Sequence, residues 1–163
     1  MRVSSRPVHR PRGRLRGTIS HDLDALRALY AEADGYLEGW TCAASADCCH
    51  FARTGREPYL WPNEWALLEQ AMRARGVPRG SLPVLDERRC PLLSRDGRCT
   101  VYADRPFGCR TFFCARGEGP TRKHPRAELA DVGKRVAALA RDADPGCDGP
   151  RQLSRLLEGR SKR

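Results

Sequence analysis

No run of eighteen apolar residues, the length a helical membrane span needs, occurs in this 163-residue chain; the longest clean stretch is Val136 to Ala140. A transmembrane helix is excluded. Aromatic residues are only 7% of the chain and methionines number two, so one modest core is what the composition supports. The chemistry of common enzyme classes is missing too: there is no Gly-rich phosphate loop, no H-E-x-x-H and no Cys–His–Asp arrangement. No C-x-x-C pair is present either, which argues against an ordinary zinc ribbon or C2H2 finger. Finally, basic Met1 to Gly17 is not followed by the apolar region of a signal peptide; Ser20 to Asp24 comes instead. The expected location is therefore the cytoplasm, where thiols stay reduced.

The formal charge of +10 suggests nucleic acid at first sight. Its distribution weakens that reading. Residues 1–17 hold six arginines and no acid, and residues 151–163 are again basic, so these two segments carry the whole excess. The remainder is net neutral and has no surplus charge with which to hold a phosphate backbone. Residues 1–17 are expected to be a basic flexible arm, 18–150 a single cysteine-cluster metal-binding domain, and 151–163 a basic C-terminal tail. Nucleic acid is expected to do no more than touch the tails weakly.

Hydrophobic periodicity predicts three amphipathic helices. Leu23, Leu26, Leu29, Tyr30 and Ala33 form a stripe over 21–34, with Ser20 as cap and Gly35 as stop. A second helix opens at Pro62 and runs to about Arg75, with Trp65, Leu68 and Met72 on one face and Gly76 ending it. A third runs from Pro125 to about Asp142 on Leu129, Val132, Val136 and Leu139. Arg151 to Leu157 adds a last turn or two. The expected class is mainly α with a short β-hairpin: a small, irregular, metal-stapled domain flanked by amphipathic helices.

Residues 78–123 differ in kind. Ten of these 46 residues are Gly or Pro, and twelve are apolar once four cysteines are set aside. Ordering each backbone residue costs about 1–2 kcal/mol of conformational entropy, more than so little apolar surface returns. Structural metal binding supplies about 10–16 kcal/mol of apparent free energy at neutral pH, the right scale to close the gap.

Eight cysteines stand ready to do so, seven of them between positions 42 and 114: Cys42, Cys48, Cys49, Cys90, Cys99, Cys109 and Cys114, with Cys147 downstream. Asp96-Gly97 predicts a two-residue hairpin in which Ser94 faces Cys99 and Leu92 faces Val101. In a regular hairpin Cys90 lies about 13 Å along the strand from Cys99. Either Pro91 bends the strand inward or the two cysteines serve different centres. Pro106 opens a short helix whose first turn carries Cys109; its amides, with Arg105 and Arg110, predict a readily ionised thiol. In extended backbone the neighbours Cys48 and Cys49 project to opposite sides, so they bridge two sites or divide ligation and packing between them. Tyr102, Phe107, Phe112 and Phe113 are expected to shield the sulfurs, and Trp40, Trp61 and Trp65 to be core or cover.

Taken together, Cys42-x-x-Ser45-x-x-Cys48-Cys49, Cys90-Pro91-Leu92, Gly97-Arg98-Cys99-Thr100-Val101-Tyr102 and Arg105-Pro106-x-x-Cys109-Arg110-x-Phe112-x-Cys114 resemble the YkgJ-type cysteine-cluster proteins. These are bacterial proteins named for a C-x-x-C-x-x-C-C signature and described as zinc- or iron-chelating domains. The resemblance covers about residues 40–115, and Ser45 stands where the signature has its second cysteine. It implies metal chelation, and it raises Cys147 and His50 as substitute ligands.

The resulting expectation is a cytoplasmic metal-chelating protein. Cys42, Cys48, Cys49, Cys90, Cys99, Cys109 and Cys114 bind zinc or an iron–sulfur cluster in one or two centres. The alternatives are an iron–sulfur-dependent enzyme or electron-transfer protein, and a nucleic-acid module using the basic tails. A secreted disulfide scaffold is disfavoured by the missing signal segment.

Overall fold

The computed structural model of the chain describes residues 22–41, 46–77, 89–112, 119 and 123–161. In chain order these form helix α1 (Leu23–Tyr36), the single turn α2 (Phe51–Thr54), strand β1 (Tyr59–Leu60) and helix α3 (Pro62–Ala74). The single turn α4 (Phe107–Arg110), helix α5 (Arg126–Ala143), strand β2 (Arg151–Gln152) and helix α6 (Leu153–Ser161) follow. Short 3-10 turns occupy Asp47–Cys49 and Tyr102–Asp104. The class is mainly α with one small antiparallel strand pair, as the sequence predicts. The basic arm at 1–17, Ser20, Cys42, Ser45, Phe113 and Cys114 lie outside the described residues. No described helix is long and apolar enough to cross a membrane.

The helix ends follow local chemistry. Asp22, rather than Ser20, caps α1: its carboxylate accepts the Ala25 amide at 2.8 Å, and the helix passes through Gly35 to Tyr36. Pro62 takes the first position of α3, where its missing N–H loses nothing. At the other end Gly76 adopts φ +65°, a conformation open to glycine. The Val77 amide then donates to Met72 and the Gly76 amide to Arg73, which satisfies the last carbonyls, while Met72 and Val77 pack in the same apolar cluster.

Two apolar clusters share α3. Leu26, Leu29, Tyr30, Ala33 and Leu37 at α1 meet Leu129, Val132 and Val136 of α5, with Leu67 of α3 inserted between them. Leu68, Ala71 and Met72, on the adjoining side of α3, meet Leu60, Cys90, Leu92, Val101, Leu153 and Leu157. Trp40 and Trp61 cover the first cluster and Trp65 the second, as expected of core and cover residues. Residues 89–112 thus dock on α3 through Cys90, Leu92 and Val101, and are not left to a metal alone. Fully burying a side chain of leucine size contributes about 1.5–3 kcal/mol. The basic C-terminal residues add more than charge. Arg151 pairs with Leu60 and Gln152 with Tyr59, Glu57 accepts the Ser154 amide at 2.6 Å, and Leu153 and Leu157 are buried.

The strand pair therefore joins distant segments, while the expected hairpin at Asp96-Gly97 is shorter and differently registered. A single bridge links Leu93 to Cys99, where the sequence pairing put Ser94 against Cys99. The loop has three residues, Arg95, Asp96 and Gly97, with Gly97 at φ +78°. Ser94 closes it: its amide donates to the Arg98 carbonyl at 2.8 Å, and its hydroxyl accepts the Arg98 amide and bonds the Asp96 carboxylate. That side-chain ring favours a type I turn followed by a left-handed glycine over the two-residue turn.

Arg110, expected beside the thiolates, faces the other way. It is 5% exposed, bonds the Asp34 carboxylate and the Ala103 carbonyl, and lies 4.6 Å from the Tyr30 ring centre. A guanidinium buried that deeply needs its counter-charge. Asp34→Ala should lower stability by about 2 kcal/mol in urea unfolding, since it strands Arg110. In an Arg110→Met background the same change should cost below about 0.5 kcal/mol. Equal losses in both backgrounds would show that the pair is not what Asp34 contributes.

Candidate metal centre

Four short segments carry five of the predicted sulfur ligands within electrostatic reach of the Cys48–Cys49 pair. Cys48 and Cys49 lie on a 3-10 turn, not on extended backbone, so the expectation that they face opposite sides fails. Their Sγ atoms are 3.9 Å apart. Ala46, directly before the turn, is left-handed at φ 56°, a conformation that costs a non-glycine residue about 1–3 kcal/mol and that here starts the turn.

Cys90 is tied to this pair through backbone. Its amide donates to the Cys49 carbonyl at 2.6 Å, and Arg89 and His50 form an antiparallel bridge, which sets the Cys90 thiol near that of Cys49. Pro91 then sits inside a turn closed by the Leu93 amide on the Cys90 carbonyl at 3.1 Å. The chain therefore turns directly after Cys90, and Cys90 and Cys99 both lie within electrostatic reach of Cys49. Cys109, the third residue of α4, is within reach of Cys48, Cys49 and Cys99.

The remaining candidates divide. Cys42 and Cys114 lie outside the described residues. Cys147 is half-buried in the turn after α5, where its amide donates to the Asp144 carbonyl. His50 follows the pair directly, and its carbonyl accepts the Arg53 and Thr54 amides that begin α2. Among the described residues, no three His, Cys, Asp or Glu side chains converge as a ready-made metal cage.

The thiols oppose one another's ionisation. Cys48 is pushed well up by its hydrogen bond with Cys49 and by burial. For Cys49 the bond from Cys48 favours the thiolate, but the bond with Cys90, burial and the charges of Cys90 and Cys99 outweigh it and push the thiol up to about 12. Burial raises Cys99, partly offset by the Val101 backbone and Arg105. Cys109, expected to ionise readily, does the reverse: burial raises it first, and the neighbouring sulfurs and Glu64 add to that. One turn of helix supplies little dipole, and Arg110 has turned to Asp34. Arg105 remains near Cys48 and Cys99 as expected, stacked 4.0 Å from the Tyr102 ring centre. Tyr102 is 55% exposed, so it carries that arginine and does not shield sulfur. Phe107 packs on the first apolar cluster.

Two buried polar residues went unread in the sequence. Glu64 is 2% exposed and accepts the Trp61 amide at 3.0 Å, the Tyr30 hydroxyl at 2.9 Å and the Phe107 amide at 2.8 Å. Asn63 donates to the Val136 carbonyl at 3.2 Å, tying α3 to α5. A glutamate three residues past a helix cap is the reaching half of a capping box, and Trp61-Pro62-Asn63-Glu64 carried that signal.

Residues 41–131 match the family model CxxCxxCC, described as a proposed zinc- or iron-chelating domain. The chain belongs to this family. No curated protein and no solved structure matches it. The family match contains all seven clustered cysteines, and the five described ones suit a chelating role by donor type: thiol sulfur selects zinc and iron over hard cations. Spacing agrees for the vicinal pair. Four sulfurs about 2.3 Å from one zinc ion stand about 3.8 Å from each other, against 3.9 Å between Cys48 and Cys49.

Raised thiols are protonated at neutral pH, and each sulfur that takes up a divalent ion must release its proton. Acid therefore opposes loading and base favours it. Zinc added to metal-free protein in weak buffer should free about one proton per sulfur bound, read with a pH indicator, and the apparent affinity should rise from about pH 6 to about pH 8. Without metal, the same thiols stabilise the fold only while protonated. That contribution is complete below about pH 8.5, the ordinary thiol value, and is lost as the pH climbs toward the raised values. Negligible proton release would mean that the thiolates exist beforehand.

Proposed function

We propose that this chain is a cytoplasmic zinc-chelating protein whose ligands come from Cys48, Cys49, Cys90, Cys99 and Cys109, with Cys42 and Cys114 completing the set in one or two centres. The single observation that carries this reading is the Cys48–Cys49 sulfur spacing of 3.9 Å on a one-turn helix, the edge of a tetrahedral thiolate site around one ion. Cys90, Cys99 and Cys109 within electrostatic reach of that pair support the reading, as does Arg105, whose charge would offset that of the thiolates. A bound ion would supply cross-linking between segments, in a closed structural site with no place for substrate.

Anaerobic purification followed by elemental analysis and an absorption spectrum tests the choice of metal. The expected protein is colourless and holds one or two zinc ions. Broad brown absorbance with iron and sulfide would replace zinc with an iron–sulfur cluster. Cys109→Ala should lower the metal content and speed proteolysis within residues 89–112, while full metal content in that variant would remove Cys109 from the ligand set.

A further inference from the structure

Cys109 lies within electrostatic reach of Cys48, Cys49 and Cys99 from α4, a single turn. Phe107, Cys109 and Arg110 all lie on this turn, and it is too short to hold itself, since one turn fixes several dihedrals for a single hydrogen bond. Its outer contacts are specific. The Phe107 ring packs against α5 so closely that a Cβ on Gly133 would stand 3.1 Å from it. Arg110 is clamped by Asp34, Ala103 and the Tyr30 ring. The Phe107 amide, a first-turn donor with no partner inside the helix, is met by Glu64.

We propose that Glu64 is a positioning residue for the metal site: its buried carboxylate fixes the Phe107 amide and thereby aims Cys109 at Cys48, Cys49 and Cys99. This rests on the thiolate-site reading above. Three donors from three different elements end on this one side chain: Trp61 at the start of α3, Tyr30 of α1 and Phe107 of α4. An apolar side chain of equal volume would fill the same space. It would accept none of these hydrogen bonds, and the Phe107 amide would lose its carboxylate acceptor. Tyr30 joins the two clamps, its hydroxyl on Glu64 and its ring face beneath Arg110, so both ends of α4 are referenced to α1. Glu64 is not itself a candidate ligand, because both carboxylate oxygens already hold protein donors.

Two readouts on the full chain test this. In the metal-free protein, alkylation of each cysteine by iodoacetamide is followed by peptide mass mapping. Glu64→Leu should raise the Cys109 rate about tenfold with Cys147 unchanged, and Glu64→Gln, which loses the charge but keeps one acceptor oxygen for Phe107, should raise it far less. In the protein loaded with cobalt(II), Glu64→Leu should weaken the thiolate-to-cobalt charge-transfer band and bind cobalt about 10- to 100-fold more weakly, matching Cys109→Ser. Tyr30→Phe, which leaves the Phe107 contact in place, should lower the melting temperature and leave the band intact. If Glu64→Leu unfolds, Glu64→Asp takes its place: it keeps the charge, lacks the reach to Phe107 and should show the same selective Cys109 exposure. An unchanged Cys109 rate, an equal rise at every cysteine of the folded variant, or an unaltered cobalt band would each overturn the proposal. A wild-type protein that takes up neither cobalt nor zinc would sink the chelation reading, while the alkylation arm would still decide the role of Glu64.

Discussion

Helix α3 must bury two adjoining faces at once, and most of the molecule is arranged to let it. Leu67 enters the cluster made by α1 and α5, while Leu68 and Met72 enter the one made by Leu60, the cysteine-bearing loops and α6. A helix that is apolar on both sides cannot rest on a single neighbour, so it becomes the shared wall between a helical layer and an irregular one. The irregular layer has few apolar residues of its own, and it spends Cys90, Leu92 and Val101 on that wall. Sulfur is brought near sulfur as a consequence of where those three dock.

The buried polar groups carry direction where the apolar ones carry area. Asn63 and Glu64 lie on the first turn of α3, one bonded to α5 and the other to α1 and α4. Each satisfies backbone groups that would otherwise be stranded in the interior, where an unmet donor costs about 1–3 kcal/mol. Arg110 and Asp34 do the same for α4 from its other end. The thiols then sit in surroundings that disfavour their charged form, held apart from water and close to one another. A divalent cation reverses that preference, and this is why binding and deprotonation are coupled in such a site.

Structure departs from local preference where two such preferences compete. Asp96-Gly97 favours a two-residue turn, yet the Ser94 hydroxyl reaches Arg98 and Asp96 and secures a three-residue loop, which shifts the pairing by one. Helix-terminal amides and two arginines favour an ionised Cys109, yet burial and four neighbouring acidic groups win, and one arginine is drawn off by Asp34. Treating Cys48-Cys49 as extended placed the sulfurs on opposite sides; one 3-10 turn, entered through a left-handed Ala46, brings them together. A glutamate in a first helical turn is ordinarily solvated, and the approach of α1 and α4 is what buries Glu64.

By itself the sequence determined the course of the three long helices, the stop of α3 at Gly76, the family and the supply of sulfur, because helical periodicity, a left-handed glycine and cysteine spacing are local properties of the chain. Tertiary structure alone decided which sulfurs meet, which way Arg110 points, and that Glu64 is buried. Each of these depends on segments far apart in sequence packing against the same two faces of α3, and no local pattern encodes the distance between them.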